Sequence, residues 1–568
     1  MSLSSLRNSR QFLALSALSA KFTSRQIPLF LLHGVALGLL LLTEISPTGM
    51  LLFALTWGFL NFLLIILFGR PLVAGALSLA LIITIIVLSR FKFDIVWMTA
   101  DFLDIMLIDY ATIAFLLTIY PNLHWLVLLL LAVLIILTVM LWRSDSSRVS
   151  RRVAAAGCAG CLAGLIALSA ATPNEWWESF SKDRFVSRFS RSAVTGISDL
   201  LFHGVFEADL KADDRLAAGQ APACGSAKLP NIILIHDESA FDIRVAPGIK
   251  VPPGYGPHFR SFDGKARRLL VESHGGASWY SEFNVLTGLS SRSFGRFANF
   301  LPRIAAGRVK RGLPLSLQRC GYESFSFYPS SSAFMSAKSF HLSTGFQHFY
   351  DYFDMGLKDF PPDSAYYDAA ARIAQRDREA GRPMFLFVYL AYNHFPYIRR
   401  HPDLVPGWRD PGNTPEIDEY LRRQERGARD YQAFLERLRR DFPGESFLLV
   451  RYGDHQPAFP TIIIDPTADQ ATTARRIQAY DPRYLTTYYA IDVINYQPAD
   501  LTPALDLLDA PYIPLVIQKL VGLPLGPSFA EQNRIFQRCS GIFYACAAGA
   551  EVRRFNRLLL DAGQLERL

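Results

Sequence analysis

Cysteine is scarce in this chain, and what little there is removes several readings at once. Six cysteines occur in 568 residues, and neither spacing among them resembles a zinc module. Cys158 and Cys161 lie inside an apolar stretch, where small buried thiols are common. Cys224, Cys320, Cys539 and Cys546 fall in the more polar remainder, where an even number permits disulfides if that part is exported. Cys539 and Cys546 flank a short turn-like segment and are the first candidates for a pair. Also lacking is any RNA- or DNA-binding signature to accompany a net charge of +8 and a pI near 9.1, so nucleic acid is not an expected partner. The N-terminus does not have the form of a cleavable signal peptide either. Its first apolar patch, 12–20, is short, and longer apolar runs follow immediately.

What is present is unevenly distributed. Mean hydropathy is positive, +0.18, although 19% of residues are charged, which divides the chain into a hydrophobic part and an ordinary polar one. Segments 27–43, 50–69, 71–88 and 125–142 approach the ~20 apolar residues that a bilayer span needs. A fifth, 153–171, is rich in Ala and Gly, as suits a span packed against other helices. The apolar region 102–120 carries Asp104 and Asp109, and charge in mid-bilayer is costly, so an interfacial amphipathic helix is expected there. Arg7, Arg10, Lys21 and Arg25 precede the spans, and Arg143, Arg148, Arg151 and Arg152 precede the last one. Both groups are cytoplasmic by the positive-inside rule. Five spans then place residue 175 onward outside the cytoplasm.

Residues 174–229 read as an interfacial linker, with Trp176 and Trp177 at headgroup level. From Pro230 short apolar runs alternate with helical segments. Strands are expected at 231–235, 268–271, 384–390 and 447–451, and helices at 366–379 and 415–442. That alternation implies an α/β sandwich around a mainly parallel sheet, with ligands bound beyond the carboxyl ends of its strands. Polar clusters stand at those ends: His236-Asp237-Glu238-Ser239, Asn393-His394-Phe395-Pro396 and Gly453-Asp454-His455. A fourth, His274-Gly275-Gly276-Ala277-Ser278, leads into a helical segment, so Ser278 falls at a helix N-terminus that favours an anion. Taken singly each has an ordinary explanation. Ser278 could be a helix cap, Glu238 a solvated charge, Gly-Asp-His a turn and His394 a core histidine. Adjacent strand residues point to opposite faces, so Asp237 and Glu238 are not expected to share a metal.

The order and placement of these clusters resemble the sulfatase-like lipoteichoic acid synthase and phosphoglycerol transferase group of the alkaline-phosphatase superfamily. The matching stretches are 231–239 (NIILIHDES), 278–283 (SWYSEF), 393–396 (NHFP) and 452–455 (YGDH). The group's layout is also five spans followed by an extracytoplasmic catalytic domain, which implies a membrane domain over 1–173, the linker, and a sulfatase-like domain over 230–568. Carried over position by position, Glu238, Asp454 and His455 look like metal ligands, and Ser278 looks like both the nucleophile and a fourth ligand. The family more often has Thr at the nucleophile position. His394 looks like the substrate-site histidine, which protonates the leaving oxygen or orients the substrate. Lipoteichoic acid-type members place a Trp and an Arg before a Gly-aromatic pair, matched here by Gly345-Phe346. This chain has Met335 and Ala337 at those spacings, with Lys338 adjacent to bind phosphate as a point charge.

A serine hydroxyl near neutral pH needs a base or a metal to attack. Two carboxylates, an imidazole and a serine oxygen suit one divalent ion, Zn²⁺ or Mn²⁺, with Mg²⁺ also in range. The resemblance implies an enzyme of the bacterial cytoplasmic (inner) membrane that takes a phosphoglycerol-type headgroup from a phospholipid donor. The headgroup would pass through a phosphoserine to an envelope polysaccharide or glycolipid. A phosphoethanolamine transferase, a phosphodiesterase or sulfatase, and a non-catalytic membrane scaffold are the alternatives. Formylglycine chemistry is disfavoured, since Ser278 is followed by Trp279-Tyr280-Ser281-Glu282 and not by x-Pro-x-Arg. The scaffold reading would expect lost ligands, and none is missing.

Overall fold

In the computed structural model the described residues are 27–566, apart from 97–98, 109, 111–112, 114–115, 118–119, 121, 173–182, 203, 209–213, 218–222, 226–227, 399, 402–404, 458 and 460–462. The basic arm (Arg7, Arg10, Lys21, Arg25), the patch 12–20, Asp109, Trp176 and Trp177 lie outside them. The chain forms two compact units. One comprises 1–105 with 120–199, and the other 106–119 with 200–568.

In the first unit, four helices among the described residues are long and apolar enough to cross a membrane. They are α2 (Pro47–Phe68), α3 (Pro71–Val96), α4 (Leu123–Ser144) and α5 (Arg151–Ala171). The preceding helix, α1 (Ile27–Thr43), has 17 residues and begins at the edge of the described chain. Ser46 starts α2 by accepting a bond from the Gly49 N–H, and left-handed Gly69 (φ 67°) ends it. The small residues of α5 are used for close packing. A Cβ on Gly157 would meet the Phe62 ring at 2.7 Å, and one on Gly164 would meet Leu55 at 3.0 Å. The region expected as an amphipathic helix opens with a short 3₁₀ turn, Phe102–Leu107, and beyond it Tyr110, Ile113, Leu116 and Leu117 are helical. Asp104 is spent there, accepting from the Asp101 N–H and pairing with Lys92 at 2.7 Å. The stretch expected as a linker contains an 18-residue helix, α6 (Phe185–Phe202), whose Ser187 donates to buried Glu44.

The second unit is built on an eight-stranded sheet of order β4-β3-β5-β1-β6-β7-β2-β8. Its strands are β1 (Asn231–Asp237), β2 (Arg267–Leu270), β3 (Glu323–Phe327), β4 (His348–Tyr350), β5 (Met384–Tyr389), β6 (Phe447–Gly453), β7 (Thr486–Ile494) and β8 (Leu507–Asp509). The sheet is mixed. β7 runs antiparallel to both β6 and β2, while the remaining pairings are parallel. β1 is central and fully buried, as its run Ile232-Ile233-Leu234-Ile235 requires. Asn231 sets its start by donating to Glu445 and accepting from the Met384 N–H. Ile233 and Ile235 pack with Tyr366, Ala370, Phe434 and Leu438 of two helices, α8 (Asp363–Asp377) and α9 (Pro415–Asp441). Alternation along β1 therefore sends His236 to the other face. Disulfides join Cys224 to Cys320 and Cys539 to Cys546.

Candidate metal centre and nucleophile

Strands β5, β1 and β6 are adjacent and parallel, so the residues that follow them emerge at one edge of the sheet. His236 stands level with Tyr452 and Asp237 with Gly453, which brings Glu238 beside Asp454. Gly453 is required by close approach. A Cβ there would lie 1.8 Å from the Ala240 carbonyl oxygen, where the chain turns after Glu238. In that turn Ser239 adopts φ 52°, and its N–H donates to Asp454 Oδ1 at 2.7 Å. The His455 N–H donates to the same oxygen at 2.8 Å, which leaves Oδ2 free to face inward.

Ser278 immediately precedes helix α7 (Trp279–Thr287), at the end of a loop held left-handed by Gly275 (φ 71°) and Ala277 (φ 60°). It is not an ordinary helix cap. Its backbone is already helical and its side chain makes no capping bond. Instead Oγ donates to Glu238 Oε2 at 3.2 Å and lies 3.1 Å from His455 Nε2. His455 Nε2 is 3.2 Å from Asp454 Oδ2 and 3.7 Å from Glu238 Oε1. Nδ1 of His455 lies 3.0 Å from the Gln456 carbonyl, a bond it can only donate, and this holds the ring with Nε2 toward the cluster. All four residues are buried.

These buried groups fit a bound cation. Burial, and then the neighbouring Asp454 charge, push the Glu238 carboxyl above its usual range, with His455 and His236 opposing. Burial acts the same way on Asp454, but the charges of His455 and His236 outweigh it and hold that carboxyl low. Two buried carboxylates this close resist joint ionisation unless a positive charge sits between them. Donor atoms of His236, Glu238 and Asp454 all lie within 4.8 Å of one another. His236 Nε2 and Asp454 Oδ2 are buried without a hydrogen-bond partner. Carboxylate oxygen, hydroxyl and imidazole donors together suit Zn²⁺ or Mn²⁺.

The family model described as Sulfatase matches residues 230–483. No curated protein sequence matches the chain. Among solved structures, the phosphoglycerol transferase GacH of Streptococcus pyogenes, in complex with sn-glycerol-1-phosphate, is 16% identical over 60% of this chain and 90% of its own, with a TM-score of 0.45. For the lipoteichoic acid synthase LtaP of Listeria monocytogenes the identity is 16%, the coverages 58% and 78%, and the TM-score 0.38. For the lipooligosaccharide phosphoethanolamine transferase EptA of Neisseria meningitidis they are 12%, 79% and 88%, and 0.42.

Within the matched segment, His394 follows β5. Its Nδ1 donates to the Phe395 carbonyl at 2.8 Å, and Phe360 and Phe395 stack on its ring at 5.4 and 4.4 Å. Arg423 binds the carbonyls of His394 and Pro396 and so fixes the loop. Burial pushes the His394 pKa down, with only partial opposition from the Phe395 carbonyl and Asp454. Lys338 is exposed on a short helix, Ala337–Ser343, and no described contact joins its side chain to the Ser278 cluster. Met335 is buried beside it at φ 51°. Asp237 faces the opposite side of the sheet, where it accepts from the Tyr488 hydroxyl and lies 3.4 Å from His258 Nε2. His236 is the residue that sequence reasoning passed over. It precedes Glu238 by two, and the alternation that sends Asp237 away brings His236 in.

Proposed function

We propose that this chain is a membrane-anchored, metal-dependent phosphotransferase that moves a phospholipid headgroup, of phosphoglycerol type, onto an envelope glycan or glycolipid. The observation that carries the reading is Ser278 Oγ, buried 3.1–3.2 Å from both His455 Nε2 and Glu238 Oε2 at the strand ends of the segment that the Sulfatase model matches. Glu238, Ser278, Asp454 and His455 would hold the ion, and when bound it supplies charge that favours serine alkoxide and polarises a phosphoryl oxygen.

The residues then divide the work. Ser278 Oγ attacks the phosphorus of the lipid phosphodiester, and the bond from phosphorus to the diacylglycerol oxygen breaks. The serine proton ends on that oxygen, and Ser278 carries the headgroup as a phosphodiester. An acceptor hydroxyl then attacks the same phosphorus and its proton returns to Ser278. His394, neutral with its Nε2 unprotonated, suits a proton carrier or an orienting acceptor better than a standing acid. Lys338 would contact the headgroup as a point charge.

Two observations support an extracytoplasmic domain. The basic loop Arg143, Arg148, Arg151 and Arg152 immediately precedes α5, so a cytoplasmic loop needs only that one span to carry the chain outside. Two disulfides in the second unit suit an oxidising compartment. A reporter fused after residue 175 should be active only outside; a cytoplasmic signal would reverse this assignment.

The activity test uses the full-length protein in detergent with Zn²⁺ or Mn²⁺ and labelled phosphatidylglycerol or phosphatidylethanolamine. Diacylglycerol is expected from phosphatidylglycerol, with Ser278→Ala lowering the rate at least a thousandfold. Release from phosphatidylethanolamine alone would reassign the headgroup. Release from neither lipid, or a Ser278→Ala variant equal to wild type, would sink the transferase reading.

A further inference from the structure

His236 does not belong to the ligand set that the sequence motifs imply, yet its surroundings are those of a ligand. The ring is fully buried and stacked on Tyr389, with centroids 3.7 Å apart and an interplanar angle of 24°, and Tyr452 packs edge-on at 5.1 Å. Its two nitrogens are in different situations. Nδ1 lies 2.7 Å from the Tyr452 hydroxyl. Nε2 points at Asp454 Oδ2 across 3.2 Å, and neither atom has a hydrogen-bond partner. Leaving two such buried polar atoms unpaired is costly, which is why they are rarely left so. Donor atoms sharing one ion at bond lengths near 2.0–2.1 Å stand about 2.9–3.6 Å apart across the angles between neighbours in a four- or five-ligand shell. The observed 3.2 Å matches that separation, and the same distance separates Asp454 Oδ2 from His455 Nε2 on the other side. Metal-bound imidazoles characteristically have their second nitrogen engaged by an outer partner that fixes the tautomer, and the Tyr452 hydroxyl fills that place.

We propose that His236 is a further ligand of the metal held by Glu238, Ser278, Asp454 and His455, through Nε2, so that Asp454 Oδ2 lies between two imidazoles. The inference rests on the reading of that cluster as a metal centre. Its chemical consequence is selectivity. A second nitrogen donor favours Zn²⁺, and next Mn²⁺, over Mg²⁺, which prefers an all-oxygen octahedron.

X-ray absorption at the zinc edge tests this on the full-length protein loaded with Zn²⁺ alone, because the scattering pattern counts imidazoles. Wild type should fit two per zinc, and His236→Gln should fit one and lose at least tenfold in Zn²⁺ affinity. His274→Gln and His394→Gln should each keep two, which identifies His236 by elimination even if its own variant fails to fold. One imidazole in wild type, or two retained in folded His236→Gln, overturns the inference while leaving the metal centre standing. No zinc bound to wild type would overturn the metal centre as well, so the two failures are told apart.

Discussion

Ser278 and His274 sit four residues apart, and their side chains are used in opposite ways. The serine oxygen is turned inward to two potential metal ligands, whereas the histidine is held as a neutral ring. His274 Nδ1 donates to the Tyr484 carbonyl at 2.8 Å, and burial pushes its pKa from 6.5 to about 4, with the carbonyl opposing and His455 adding to the drop. The folded chain therefore stays unprotonated there over a range where the unfolded chain takes up a proton. Stability contributed by this residue is present above about pH 6.5 and is lost as the pH falls toward 4. The thermal unfolding midpoint should be lower at pH 5 than at pH 7, and His274→Gln, whose amide can still reach Tyr484, should narrow that difference. An unchanged gap in the variant would show that another group drives the acid sensitivity. His394 is expected to be chemically active where His274 is structural. His394→Ala should cost about 10²- to 10⁴-fold in diacylglycerol release, with Zn²⁺ binding retained.

At the scale of elements, the site depends on how tightly the chain turning away from β1 crosses the end of β6. Gly453→Ala places a methyl group inside contact distance of the Ala240 carbonyl, and backbone on both sides must move. Because Asp454 is next in sequence and is bound by the Ser239 N–H of that same turn, the variant should lose Zn²⁺ affinity as well as stability. Retained affinity at equilibrium dialysis would contradict this. Ile233→Ala, at the buried centre of β1, should cost about 2–5 kcal/mol of stability. The strands that deliver the site were legible for a physical reason. β1, β5 and β6 are buried on both faces and read as continuous apolar runs ending in polar clusters. β7 was not legible. Its run Thr486-Thr487-Tyr488-Tyr489 mixes polar and aromatic residues, and its antiparallel direction, which makes the sheet mixed, is set by pairing with β6 and β2. The 3₁₀ turn that opens the 102–120 region, at Phe102–Leu107, was not legible, because apolarity alone does not show that Lys92 pairs with Asp104. The pocket residues near Met335 were legible only as departures from a motif, since sequence does not show that Lys338 points outward.

For the whole molecule, the two disulfides contribute unequally. Cys224–Cys320 closes a loop of sequence separation 96, and Cys539–Cys546 one of 7. On the chain-entropy account, the first is worth about 4–5 kcal/mol and the second about 2–3. Cys320→Ser should therefore lower the unfolding midpoint more than Cys546→Ser; the reverse order would indicate that the long loop keeps residual structure when unfolded. The longer bridge has another consequence. Cys224 lies ahead of β1 and Cys320 just ahead of β3, so a protease that nicks the chain between them separates no mass from the apolar helices. The downstream fragment would remain covalently tied to the apolar helices and would be shed only after a reductant opened the bridge. On a gel, such nicked protein should run as one species without reductant and as two with it.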